Sequence, residues 1–283
     1  MVDLKGKKYG ADITSRRARI VGKSVIAGHP VVNLIEDTKL EALGSFHIGE
    51  EDELYFSVPE KDALLKRVNV KVENSFESDK LALFEFTSSL INNDSAYYFE
   101  AHRLNGDSRH LVIGYNREFI NRLISRLEAV MVRPSGYKLR GWALASGYRN
   151  YCWKEGGEMI CLLDISDDCT SFCFLRKDIP VALGHITGTL YDSDNGKCIS
   201  NHYLTDLSTT LKYYRNLLVR DEGDVPLSQI IISGSSASGG MASLLEESMG
   251  VRTTLPAVKK ALFSHETSAL APKYLVSLGL MSD

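Results

Sequence analysis

Hydrophobic and polar positions alternate with period two at the start of the chain, and the period lengthens later. From Lys8 to Ile35 the runs KYGADI, ARIVGKSVIAG and PVVNLIE predict three short strands, with turns at Thr14-Ser15 and at Gly28-His29-Pro30. Pro59 suits a first helical turn and Leu64, Leu65 and Val68 recur at helical spacing, which predicts a short helix from about Ser57 to Lys66. Three β-rich runs follow, LALFEFTSS, AYYFEAHRL and RHLVIGY, joined by the polar turns NNDS and NGDS, and predict an antiparallel sheet. Asn116 then caps a helix to about Met131, whose stripe holds Phe119, Ile120, Leu123, Ile124, Leu127, Val130 and Met131, and a second helical run covers Lys138 to Tyr151.

After Lys154-Glu155-Gly156-Gly157 the opening pattern returns as MICLLDISD, TSFCFLRKD and IPVALGHIT, three more strands. A long helix from about His202 to Val219 carries Leu207, Leu211, Tyr214 and Leu218 on one stripe. SQIIISG reads as a buried strand leading into a helix at Gly239-Gly240, and a last helix is expected from about Thr267 to Leu280.

Composition narrows the function classes. The chain has 283 residues, 44% hydrophobic and 24% charged, enough for a large core in one domain or two lobes. Lys+Arg 33 against Asp+Glu 36 leaves a formal charge of -3, which lacks the electrostatic footprint of a nucleic-acid binder. The run Arg16-Arg17-Ala18-Arg19 splits between two strand faces and reads as a solvated strand. Cys152, Cys161, Cys169, Cys173 and Cys198 are odd in number and form no CxxC, so buried thiols are expected rather than a disulfide framework. The histidines are dispersed without an HExxH, Asp167 and Asp168 read as a solvated turn, and no metal site of that kind is expected. No apolar run is long enough for a signal peptide or a membrane span, which points to a cytoplasmic protein without direct membrane insertion.

Candidate chemistry lies at two carboxylates and one glycine-rich turn. Asp12 in GADITS and Asp164 in LLDISD each end the first strand of a meander, a place where a short carboxylate also serves simply to close a turn. The strand-GSSASGG-helix turn invites comparison with a nucleophile elbow, but Ser238 stands where a G-x-S-x-G motif centred on Ser236 needs glycine. Duplicated meanders followed by such a turn resemble the layout of the superfamily of actin, heat-shock ATPases and sugar kinases. More narrowly, GADITSRRARIV, KDALLKRVNVKVENSF, the block from His110 to Ser146, CLLDISDDCTSFCFLRKDIPVALGHI and LSQIIISGSSASGGMASLLEESMGV run in the order of the PilM family of type IV pilus assembly. That family is similar in architecture to the cytoplasmic domain of GspL-type secretion proteins.

The resemblance implies an α/β, actin-like (ribonuclease H-like, duplicated) two-lobe fold with an inserted α+β subdomain. Its expected bounds are 1–43 for the first part of lobe one, 44–131 for the insertion, 132–153 for the helix returning to lobe one, and 154–283 for a shortened second lobe. It implies ATP with Mg as cofactor, bound at Asp12, Thr14, Ser15, Asp164, Ser166, Gly234, Ser235 and Ser236. Both phosphate turns depart from the family's Asp-x-Gly, reading Asp12-Ile13-Thr14 and Asp164-Ile165-Ser166. Losing glycine crowds each cradle with a Cβ, so a degenerate nucleotide site and no catalytic residue are expected.

The implied partner is the short cytoplasmic tail of a PilN-like inner-membrane protein, laid on the insertion at aromatic strands bearing Phe84, Phe86, Tyr97, Tyr98 and Phe99. The protein would then be a scaffold held peripherally at the inner membrane through its partner, with self-association as a further property of the superfamily. The competing reading is an ATPase or small-molecule kinase on the same fold, which needs intact glycine-bearing turns and a catalytic base.

Overall fold

The computed structural model describes residues 7–14, 17–26, 29–46, 48–49, 51–70, 75–90, 94–104, 108–153, 158–166, 169–187 and 200–282. The first part of the chain forms β1 (Lys8–Ile13), β2 (Arg17–Ile26), β3 (His29–Lys39), β4 (Glu53–Val58) and β5 (Ala63–Asn69). Then come α1 (Ser75–Ser88), β6 (Tyr97–Arg103), β7 (Arg109–Asn116), α2 (Arg117–Glu128), β8 (Gly136–Leu139) and α3 (Arg140–Tyr151). The second part contains β9 (Met159–Ile165), β10 (Thr170–Arg176), β11 (Ile179–Ile186), α4 (Asn201–Glu222), β12 (Leu227–Ser233), α5 (Gly239–Met249), β13 (Thr253–Thr254) and α6 (Leu275–Leu280).

Two five-stranded sheets share one topology, β3-β2-β1-β4-β8 and β11-β10-β9-β12-β13. In each, an antiparallel meander is extended by two parallel strands beside its first member. The repeat expected from the two Asp-bearing runs is therefore real at the level of strand order. Helices α3 and α6 fill the space between the sheets, where Ala143, Leu144, Tyr148, Leu275, Leu278 and Leu280 join side chains of both sheets in one apolar core. These helices approach so closely that a Cβ on Gly279 would lie 1.7 Å from the Ala143 carbonyl oxygen. On the far side of the second sheet, Leu207, Leu211, Leu218 and Leu245 of α4 and α5 bury Leu163, Ile230 and Ile232. A third sheet, β5-β7-β6, carries α1 on one face, with Val68, Ala82, Phe86 and Val112 at its centre.

Four expectations are corrected. Residues 59–66 are not a helix: Pro59 leads into a 3-10 turn at Glu60–Asp62 and then β5, which pairs with β7 along its whole length. The run LALFEFTSS is not a strand but the body of α1, because Ser78, Ala82 and Phe86 are buried at four-residue steps. The last helix is only α6, since Pro272 lies in a separate 3-10 turn at Ala271–Lys273 and has no N–H with which to continue a helix. Finally, β4 lies inside the stretch assigned to the insertion yet pairs between β1 and β8, and α6 returns to pack on β1 and α3. The insertion thus runs between β4 and β8 rather than from residue 44.

The Asn116 cap is formed as expected, its side chain accepting from the Phe119 N–H at 3.0 Å. Cys152, Cys161, Cys169 and Cys173 are buried free thiols, and Cys198 lies outside the described residues.

Candidate functional site

Asp12 and Asp164 occupy equivalent positions, each next to last on the central strand of its sheet. The hairpins that follow are built alike. The Thr14 N–H donates to the Arg17 carbonyl at 2.9 Å, and the Ser166 N–H donates to the Cys169 carbonyl at 3.2 Å. Both hydroxyls brace the same turns, Thr14 Oγ1 donating to the Arg17 carbonyl and Ser166 Oγ to the Cys169 carbonyl, each at 3.2 Å. Ser15, Asp167 and Asp168 lie outside the described residues.

The two carboxylates meet across the interior, and two guanidinium groups stand between them. Arg19 is the cross-strand neighbour of Asp12 in the β1–β2 ladder and donates to Asp12 Oδ2, with Asp164 Oδ2 at 3.3 Å from the same nitrogen. Arg140, the first residue of α3, places Nη2 at 3.1 Å from Asp12 Oδ2, 2.6 Å from Asp164 Oδ2 and 2.5 Å from Ser166 Oγ. Its Nη1 lies 3.1 Å from Cys169 Sγ. Ser57 on β4 completes the shell by donating to Asp12 Oδ1 at 2.7 Å. All four charged residues are at least 95% buried.

Two positive and two negative charges in one dry cluster offset one another, and protonation states follow. Burial alone pushes the Asp12 carboxyl up, but Arg140, Arg19 and the Ser57 hydroxyl outweigh it and hold the group below its ordinary value. Burial likewise works against the charged form of Arg140, and Asp12 and Asp164 reverse this, raising its pKa. The solvated strand expected for Arg17 and Arg19 is corrected for Arg19: Arg17 does face solvent and pairs with Asp37 at 2.7 Å, while Arg19 is held inside by Asp12 and Asp164.

A magnesium ion does not fit this arrangement. The Oδ2 atoms that face each other are both taken by guanidinium groups, and a divalent cation placed there adds charge to two fixed cations. Asp164 Oδ1 is the buried carboxylate oxygen of this pair without a hydrogen-bond partner among the described residues, and a single oxygen beside two cations is a poor site for an oxygen-hungry ion.

Glu60 ties the lobes together beside the cluster. One carboxylate oxygen accepts the Gly141 N–H at the start of α3, serving as its N-terminal cap, and the other accepts Ser171 Oγ of β10 at 2.6 Å. Burial pushes its pKa up to about 7, despite the hydrogen bonds from Ser171 and Gly141 and the nearby Arg140.

The glycine-rich turn sits against the second hairpin. Gly234 has φ +99°, and a Cβ there would lie 2.2 Å from the Ile165 carbonyl oxygen, so only glycine suits this position. The Ser236 N–H donates to that carbonyl at 3.1 Å, and Ser238 caps α5 by accepting the Met241 N–H at 3.2 Å. Ser235 is exposed. The structure thus brings Asp12, Asp164, Ser166 and Gly234 to one interior region.

Of the aromatics expected to meet a partner, Phe84 and Phe86 lie on helix α1, not on a strand. Phe84 is 67% exposed, whereas Phe86 is 4% exposed and packs edge-on against Phe99, with ring centroids 5.7 Å apart. Tyr97, Tyr98 and Phe99 lie on β6, the terminal strand of the third sheet. Tyr97 and Phe99 are half-buried, and Tyr98 is exposed beneath the Arg117 guanidinium, 4.5 Å from its ring centre. Phe86 is therefore core, and a partner can reach Phe84 and the β6 edge.

Sequence reasoning missed Arg19, Ser57, Glu60 and Arg140. The ladder pairs Asp12 with Arg19, whereas a two-residue turn at Thr14-Ser15 would pair it with Arg17, so the turn signal points to the wrong arginine. Arg140 carries no local signal, because its partners lie on other elements.

No protein-family model matches the sequence, and no curated protein does. Among solved structures, a PilM–PilN type IV pilus biogenesis complex contains a chain 16% identical to this one, covering 98% of each chain at a TM-score of 0.71. The cytoplasmic domain of EpsL, an inner-membrane component of the type II secretion system of Vibrio cholerae, is 12% identical over 86% of this chain and 94% of that one, at 0.49. A protein of unknown function with an actin-like ATPase fold from Bacteroides thetaiotaomicron is 10% identical over 96% of this chain and 98% of that one, at 0.50. The chain therefore has an actin-like fold, shared with a chain of the PilM–PilN complex over 98% of each.

Proposed function

We propose that this protein is a cytoplasmic scaffold of a type IV pilus or type II secretion-like assembly machine, docking the short cytoplasmic tail of a PilN-like inner-membrane protein and working without ATP turnover. The observation that carries the reading is the end-to-end agreement with the PilM chain of a PilM–PilN complex, insertion included. The insertion supplies what an extended tail needs, a terminal strand with main-chain groups at its edge and exposed apolar side chains such as Phe84. Absence of turnover is supported by the site: the two Asp residues that would hold metal-bound water in a hydrolase of this fold are ion-paired to Arg19 and Arg140. Among the described residues no helix is long and apolar enough to cross a membrane, which fits attachment through a partner.

The test is affinity capture from detergent-solubilised native membranes, with retained proteins identified by mass spectrometry, followed by titration with a peptide of the captured protein's tail. Retention of a single-pass membrane protein whose tail peptide binds supports the scaffold. Retention of soluble metabolic enzymes alone, together with steady ATP consumption by the purified protein, overturns it in favour of a kinase or ATPase.

A further inference from the structure

Between the insertion and the second lobe runs a cavity of about 540 Å³, walled by Leu65 and Leu111 of the third sheet, by the run from Pro180 to His185 of β11, and by Leu217 of α4. We propose that this cavity is a binding site for a free amphiphilic anion, an apolar chain ending in a single carboxylate. The proposal is independent of tail docking, since among the described residues none of α1, β6, the two hairpin turns or the Gly234 turn lines the cavity. β11 also lies three strands away from β12 and its glycine-rich turn, about 14 Å across the sheet.

The first support is an apolar interior of ligand size. Sites for small molecules span ~300–1,000 Å³ and are lined mainly by hydrophobic side chains with a few polar groups. Most residues around this cavity are Ala, Val, Leu or Pro. Leu65 and Leu217 are only half-buried, and Leu217 belongs to none of the three apolar cores. These side chains leave hydrocarbon surface in contact with water, and covering it with an apolar chain is favourable.

The second support is the sign of the charge. One acid, Glu60, lines the cavity, together with Lys66, Arg67, His185 and Arg220. Glu60 repels an anion little: its oxygens are occupied by the Gly141 N–H and the Ser171 hydroxyl, and burial pushes its pKa up to about 7. Lys66 turns its ammonium to Ser89 Oγ at 3.1 Å. Burial and nearby Lys61 push the His185 pKa down despite Asp62, towards neutral imidazole. The fixed charge is therefore that of Arg67 on β5 and Arg220 on α4. Arg67 keeps other contacts within the chain, whereas Arg220 is exposed in the last turn of α4, where it can meet a carboxylate through two N–H groups.

The third support separates a small molecule from an extended peptide. A peptide would have to pair with β11, the outer strand of its sheet. Pro180 has no N–H to donate, and because Phe174 pairs with Ala182 and Leu175 with Pro180, Val181 is left as a bulge. Proline and bulges are how edge strands resist pairing. A small amphiphile needs no ladder, and its affinity comes from the apolar wall and one ion pair.

The experiment is isothermal titration of the full chain, below micelle formation, with decanoate, with butanoate, which keeps the head and shortens the chain, and with decyltrimethylammonium, which keeps the chain and reverses the charge. Decanoate is repeated on R220Q and on L217W, whose indole fills the cavity; both positions lie outside the apolar cores, and a thermal melt confirms folding. The expected result is decanoate binding below millimolar concentration, at least tenfold tighter than either other ligand, and weakened by roughly threefold in R220Q and tenfold in L217W. No decanoate binding, equal binding of the cation, or decanoate binding unchanged in either variant overturns the proposal. Binding of an acidic, alternating Val-Glu peptide in place of decanoate, lost in L217W, also overturns it, in favour of strand addition.

Discussion

Arg140 Nη2 lies 2.6 Å from Asp164 Oδ2, with both side chains almost completely buried and each on a different lobe-forming element. The contact joins the start of α3 to the end of β9, and through Asp12 it reaches β1 as well. Together with Arg19, which also reaches both carboxylates, this guanidinium ties the two hairpins to each other. The two sheets are thus joined by buried charge as well as by the apolar core between them.

Removing Arg140 leaves two buried carboxylates with Arg19 alone between them. Arg140→Met should lower the free energy of unfolding by roughly 3–5 kcal/mol, the usual loss when one member of a buried charge cluster is removed. Arg140→Met combined with Asp164→Asn should recover part of that loss, because the uncompensated charge goes with it. Urea denaturation of the three proteins decides the matter: a loss below about 1 kcal/mol for the single variant means the pair contributes no more than a surface bridge.

Glu60 gives stability a distinctive pH slope. Its folded pKa, pushed up to about 7 by burial, lies above the 4.5 of an ordinary Glu, so the folded state binds more protons than the unfolded chain between those values. Stability from this group is therefore complete below about pH 4.5 and falls as pH rises towards 7, by on the order of 3 kcal/mol in total. Asp12 acts in the opposite sense, since its folded pKa is lowered: its contribution is present above the ordinary Asp value and is lost as pH falls through the folded one. Glu60→Gln can still accept from Gly141 and donate to Ser171, and it should flatten the slope between pH 5 and 7 in denaturant melts. Parallel slopes for the two proteins would remove Glu60 from the account.

How much of this was legible in the sequence depends on the range of the interactions involved. The duplicated meanders, Asp12, Asp164 and the Gly234 turn are signalled by local alternation and turn residues, and they were found. The helix α1 was misread because Ser78 occupies a core position, where it bonds His110 at 3.0 Å, and a polar residue in the stripe hides the helical period. β5 was misread because Leu64, Leu65 and Val68 satisfy either period, and pairing with β7 decides between them. Arg140 and Glu60 were invisible for a deeper reason: their roles exist only where α3, β10 and the turn after β4 converge.

The turn at Gly234 offers a contrast within one short segment. An alanine there meets both a left-handed backbone at φ +99° and a carbonyl 2.2 Å from its Cβ, so Gly234→Ala should cost well over 1 kcal/mol and lower the melting temperature by several degrees. Gly240, inside α5 with no atom within 4 Å of its prospective Cβ, should behave oppositely: Gly240→Ala should stabilise by about 0.5–1 kcal/mol. Equal melting temperatures for the two variants would contradict the assigned backbone.

Phe84 and Phe86 separate folding from docking on the same helix. Phe86 fills the subdomain core against Phe99, so Phe86→Ala should cost about 3–5 kcal/mol. Phe84 stands 67% exposed, and Phe84→Ala should leave unfolding within about 0.5 kcal/mol of the parent. A tail peptide lying across the insertion should lose affinity on Phe84→Ala by tenfold or more, the scale of one buried aromatic anchor in an interface. Calorimetric titration of the captured partner's tail against both the parent and Phe84→Ala reads this directly. Unchanged affinity moves the tail away from α1, and the edge of β6 at Tyr97 then becomes the site to substitute.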